Sequence, residues 1–131
     1  MSSPDSSLYA MAKILIADDS RFQVQLLASC LKRQGWEFLF AYDALQAWMT
    51  ALRSHPDMIL LDINMPCGTG MEVLKRLRMS AKTQDIPVIV ISGESNPATA
   101  SEVQELGVIE FLHKPVQEDQ LRTTVERVLN A

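Results

Sequence analysis

The stretch Met58-Ile59-Leu60-Leu61-Asp62-Ile63-Asn64-Met65-Pro66 limits most sharply what this chain can become. An unbroken apolar run ends in a carboxylate, and an amide and a proline follow at once. Such a run, closed by a turn signal, reads as a strand buried on both faces. A charge is costly inside that strand unless it has a partner. Asp62 is therefore expected where the strand stops, beside a loop, where it can meet a cation.

The rest of the chain repeats this unit. Lys13-Ile14-Leu15-Ile16-Ala17 predicts a first strand that ends in Asp18-Asp19, with Ser20 or Asp19 capping a helix. Val24, Leu27, Ala28 and Leu31 share one helical face, and Gly35 is expected to close that helix. Glu37–Ala41 predicts strand two, with Asp43 as the next cap and Ala44, Ala47, Trp48, Ala51 and Leu52 as the buried stripe. After the central strand, Gly68 and Gly70 are expected to loosen a loop before a helix marked by Val73, Leu74 and Leu77. Pro87–Ile91 predicts strand four, ending at Ser92-Gly93. Asn96-Pro97 opens a helix on Ala100, Val103 and Leu106 that stops at Gly107. Val108–Leu112 predicts strand five, ending at Lys114-Pro115. Glu118 and Asp119 begin a last helix on Leu121, Val125, Val128 and Leu129.

Five strand–helix pairs in succession require parallel strands with right-handed crossovers. The expected class is α/β: a doubly wound, five-stranded parallel sheet with helices on both faces and the flavodoxin-like order 2-1-3-4-5. At 131 residues the chain suits one domain over residues 12–131, after a tail or expression remnant at residues 1–11. A net charge of -4 is too mild to point to a polyanion or a membrane, and it argues against direct nucleic-acid binding. The N-terminus lacks the pattern of a secretory signal, and no stretch is long enough to span a bilayer. Cys30 and Cys67 form no metal motif and fit a reducing cytoplasm.

Ligands of such a sheet bind beyond the carboxyl ends of its strands. Those ends carry Asp18 and Asp19, Asp62, Ser92 and Lys114. Two like charges about 4 Å apart repel by roughly 4 kcal/mol at an effective dielectric near 20, so three carboxylates call for cations. Lys114 supplies one charge, and a divalent ion the rest. An all-oxygen donor set favours magnesium, which commonly works beside phosphates. An ionised Asp62 could then attack phosphorus and form an acyl phosphate, with Lys114 and Ser92 on the phosphoryl oxygens. Each part alone has a plainer explanation: Asp-Asp as a helix cap, Lys-Pro as a strand exit, Ser92 as a turn former, Phe111 as core. Trp48 and the methionines are expected in the core, and His55 and His113 are given no role.

Taken together these residues resemble the receiver domain of two-component response regulators. The resemblance rests on Ile-Leu-Ile-Ala-Asp18-Asp19-Ser20, on Leu60-Leu61-Asp62-Ile63-Asn64-Met65-Pro66 with Gly70, on Ile91-Ser92-Gly93 and on Phe111-Leu112-His113-Lys114-Pro115. It extends from Lys13 to Leu129. It implies that Asp62 is the phosphoacceptor and that Asp19 and Asp62 bind magnesium directly. It further implies that Asp18 acts through water and that Asn64 lends its backbone carbonyl. Ser92 would be the switch hydroxyl, Phe111 the switch aromatic and Lys114 the phosphoryl contact. The implied donor is a phosphohistidine of a sensor kinase or phosphotransfer domain. The implied output is a changed surface on helix four, strand five and helix five, read by a downstream protein that is not identified. Gly93, Asp43-Ala44 and Thr124 depart from common family choices, and Thr124 weakens the case for a symmetric dimer through that surface. Two other readings are a magnesium-dependent phosphohydrolase, which lacks an acid because Asn64 stands two residues past the nucleophile, and a receiver-like binding module that never carries phosphate.

Overall fold

The computed structural model describes residues 12–32, 35–64, 70–93 and 97–130. Among the described residues, five strands alternate with five helices. They are β1 (Lys13–Ala17), α1 (Arg21–Cys30), β2 (Glu37–Ala41), α2 (Ala44–Ser54), β3 (Met58–Asp62), α3 (Gly70–Met79), β4 (Val88–Ser92), α4 (Pro97–Glu105), β5 (Glu110–His113) and α5 (Glu118–Leu129). All neighbouring strands pair in parallel, in the order β2-β1-β3-β4-β5. β3 sits at the centre, and all five of its residues are buried.

Side chains alternate across a strand, so each strand feeds both layers. Ile14, Ile16, Met58, Leu60, Ile89, Ile91 and Leu112 meet α1 and α5 through Val24, Leu27, Leu121 and Val125. Leu15, Ile59, Leu61, Val88 and Val90 meet α2, α3 and α4 through Ala47, Ala51, Val73, Leu77 and Val103. Helix ends follow local chemistry. Ser20 and Asp43 cap α1 and α2 by accepting from the Gln23 and Gln46 backbone N–H groups. His55, at φ 45°, closes α2 in the left-handed region.

Several boundaries differ from those expected. α1 ends at Cys30 with Leu31 as its C-cap, so Gly35 is not its cap; Gly35 instead has a φ of 94° just ahead of β2. β4 begins at Val88 and β5 at Glu110. Val108 and Ile109 follow the turn at Leu106–Gly107 and precede the strand, although the Ile109 N–H already donates to Val88 O. Leu52 lies exposed, and so do Met49 and Met79, contrary to their expected place in the core. Gly70 does not loosen a loop. It opens α3 pressed so closely on β3 that a Cβ would collide with the Asp62 carbonyl oxygen and lie 2.6 Å from the Ile63 Cα. Gly68, Cys67, Asn96 and the 1–11 tail lie outside the described residues.

The end of the sheet away from Asp62 is tied by Arg78. Its guanidinium donates to the carbonyls of Leu106 (2.8 Å), Gln84 (3.1 Å), Ile86 (2.9 Å) and Gly107 (3.3 Å). α4 has no basic residue in its own last turn, so Arg78 supplies from α3 the cation that the C-terminal end of α4 favours. Burial lowers the Arg78 pKa from its ordinary value without threatening its charge. Arg78→Met would keep much of the bulk and strand these carbonyls. We expect a loss of about 3 kcal/mol, read as a lower urea midpoint at unchanged slope; an unmoved midpoint would show the clip to be dispensable.

Candidate functional site

Continuing the alternation of β1, β3 and β5 puts Asp18, Asp62 and Lys114 on the same side of the sheet, past Ile16, Leu60 and Leu112. The strand ends are joined there. The Asp18 N–H donates to Ala41 O, the Ile63 N–H to Ile91 O and the Lys114 N–H to Ser92 O. These bonds bring acidic residues from β1 and β3 and a lysine from β5 together across the sheet.

Lys114 Nζ lies 3.1 Å from Asp18 Oδ2 and 3.3 Å from Asp62 Oδ2. The other carboxylate oxygens are held by backbone: Asp18 Oδ1 accepts from Ser20 N–H at 2.9 Å, and Asp62 Oδ1 from Asn64 N–H at 3.1 Å. Asp18 and Asp62 are buried and Asp19 is exposed. One carboxylate oxygen from each of Asp18, Asp19 and Asp62 falls within 4.8 Å of the others. Burial by itself would lower the Lys114 pKa. The hydrogen bonds and charges of Asp18 and Asp62 outweigh it and hold the pKa above its ordinary value. The resulting stabilisation is full below the unfolded lysine value of about 10.4, and it is lost as pH rises through the higher folded value.

These donors suit a hard divalent ion. All are oxygens, they converge from two strands, and one face of the cluster, at Asp19, is open. Both oxygens of Asp18 already accept hydrogen bonds, one of them from Lys114.

The two remaining predicted site residues occupy the other face. Ser92 is fully buried at the end of β4, and His113 stands opposite it in register. Phe111 is half-buried against the α2–α4 side of the core, and its ring tilts against that of His113 at 5.0 Å. Five of the seven predicted residues, Asp18, Asp19, Asp62, Asn64 and Lys114, thus gather at one rim, while Ser92 and Phe111 sit across the sheet from them. Two neighbours went unassigned in the sequence. Gly70 fixes the backbone behind Asp62, and its signal was a glycine at a helix start. His113 contacts Phe111, and its signal was strand alternation.

A family model described as the response regulator receiver domain matches residues 14–126. Protein PilH of Pseudomonas aeruginosa is 33% identical over 119 residues, which cover 91% of this chain and 98% of PilH. Sporulation initiation phosphotransferase F of Bacillus subtilis is 32% identical over 117 residues, covering 89% of this chain and 93% of that protein. The solved structure of the chemotaxis response regulator CheY4 of Vibrio cholerae shares 33% identity at a TM-score of 0.81, covering 90% of this chain and 98% of that one. The chain spans 24% and 50% of two longer transcriptional regulators that it also matches. A doubly wound sheet in the order 2-1-3-4-5, an acidic rim answered by a lysine and a family match over most of its length lead to one conclusion: the chain belongs to the receiver domain family of two-component response regulators.

Proposed function

We propose that this domain, residues 12–131, accepts a phosphoryl group on Asp62 and passes the event to its α4–β5–α5 surface. The observation that carries the reading is the placing of Asp62, with its neighbours Asp18 and Asp19, against the ammonium of Lys114 at the open rim of the sheet. An ionised carboxylate needs no general base. A carboxylate oxygen of Asp62 forms the bond to phosphorus as the phosphorus–nitrogen bond of a phosphohistidine breaks, and the bonding pair leaves with the imidazole. The donor is a sensor histidine kinase or a histidine phosphotransfer domain.

Asp19 and Asp62 would hold a magnesium ion with the Asn64 backbone carbonyl, and Asp18 would act through water, which suits its two occupied oxygens. The ion would neutralise charge on the transferring group. Lys114 takes up a phosphoryl oxygen as it gives up part of its contact with Asp62. Ser92 turns its hydroxyl toward the phosphoryl group, and Phe111 moves into the space that it leaves. Both lie on the side of the sheet that carries α4, so the local charge change has a packed route to that helix. The phosphohydrolase reading is weaker, because Asn64 offers an amide where an acid is needed and donates its backbone N–H to Asp62. Among the described residues no helix is long and apolar enough to cross a membrane, and the free thiol of Cys30 suits a reducing cytoplasm.

Asp62→Asn should abolish hydroxylamine-sensitive labelling by acetyl phosphate; labelling that persists would place the acceptor elsewhere. Magnesium at tenfold excess over its Kd should add about 1.4 kcal/mol to stability and raise Tm by several degrees. Asp19→Asn should remove most of that rise while leaving the Lys114 ion pairs, and hence the metal-free Tm, nearly unchanged. An equal magnesium response in both proteins would exclude Asp19 as a ligand.

A further inference from the structure

The exposed apolar side chains of α2 are not scattered. Leu45, Met49 and Leu52 are 59%, 38% and 38% exposed and recur at i, i+4 and i+7, which is one stripe of the helix. The stripe borders a groove of about 110 Å³ between α2 and α3, lined by Leu45, Trp48, Glu72 and Arg76 among others. Trp48 is half-buried beneath it, and the Arg76 guanidinium stands over its ring at 5.9 Å. Met79, on the α3 stripe of Glu72 and Arg76, is 86% exposed. Isolated exposed apolar residues are ordinary, but an aligned strip beside a groove marks an interaction surface.

Charge selects the occupant. α2 and α3 carry Arg53, Lys75, Arg76 and Arg78 against the single acid Glu72, in a chain whose net charge is -4. Arg78 is turned to backbone carbonyls, so a partner meets Arg76 and Glu72 in the groove and the exposed Arg53 and Lys75 elsewhere on the same two helices, three cations to one acid. The strip is about 10 Å long, two turns of helix. We infer that the α2–α3 groove is a docking surface for an acidic amphipathic helix of another protein, which lays its apolar face along Leu45, Trp48, Met49 and Leu52 with its carboxylates toward Lys75 and Arg76. The surface neither contains Asp62 nor depends on phosphoryl transfer, and it goes beyond the function proposed above.

The test uses the full chain and a synthetic helix of about four turns with Leu on one face and Glu along both flanks; the control replaces each Glu with Lys. Titration calorimetry and amide NMR should show the acidic peptide binding, with shifts centred on α2 and α3, and the basic peptide binding at least tenfold more weakly. Leu45→Glu should weaken the acidic peptide about tenfold. Because Leu45 is exposed, that variant should keep the parent circular dichroism. The pair Lys75→Glu with Arg76→Glu should reverse the preference, which a merely structural role for these residues would not produce. Equal binding of both peptides, shifts centred on other helices, or a dimer of this chain that Leu45→Glu dissolves would each overturn the proposal.

Discussion

The electrostatics of the rim turn on the ammonium of Lys114, which reaches Asp18 and Asp62 at once. Both carboxylates are buried, and an unpaired charge at that depth would be strongly disfavoured. Their repulsion is met from three directions: the lysine from β5, backbone N–H groups of Ser20 and Asn64, and an open side at Asp19 that can admit a cation. A parallel sheet makes this possible because all its strands end on one edge, so residues distant in sequence arrive together without a dedicated loop.

The same geometry explains what could be read from the residues alone. Uninterrupted apolar runs in β1, β3 and β4 left little choice of element, and the order of elements left little choice of topology. Asp62 was legible because a charge directly after such a run has to lie at the strand's end. Less was legible where a tertiary contact overrides local pattern. Leu52 fits the apolar period of α2 as well as Ala51 does, yet the small alanines are what let the helix approach the sheet, and Leu52 is left outside. Gly70 reads as a flexible loop residue, and only the closeness of the Asp62 carbonyl shows that it is a packing residue. Arg78 reads as a helix-end charge, and its four carbonyl partners come from segments whose approach to α3 is not encoded nearby.

The departures from the usual family choices also acquire physical meaning. Gly93 has open space where a Cβ would stand, and its φ is not positive, so an alanine there would meet no clash. Thr124 is buried and donates its hydroxyl to Gln120 O, four residues back, so it serves the packing of α5 and offers a partner little. A contact through the outer face of α5 would have to draw on other residues, such as Arg122, which is engaged with Glu118 and Asp119 on its own helix. Those pairs are exposed and weak, so they can be exchanged for a partner's at little cost.

The two layers of helices therefore carry unequal burdens. α1 and α5 close the side past which Asp18, Asp62 and Lys114 emerge, whereas α2, α3 and α4 cover the side that holds Ser92 and Phe111. α4 is anchored at its C-terminal end through Leu106 and Gly107 to Arg78, while its first residues follow closely on Ser92 and Gly93. The proposed change at Ser92 would thus begin near the end of α4 remote from that anchor. In the function proposed above, a fixed C-terminal end would let a small displacement near Ser92 tilt the helix without dragging the base of the sheet, so that a packed, nearly incompressible core changes one surface and leaves the rest in place.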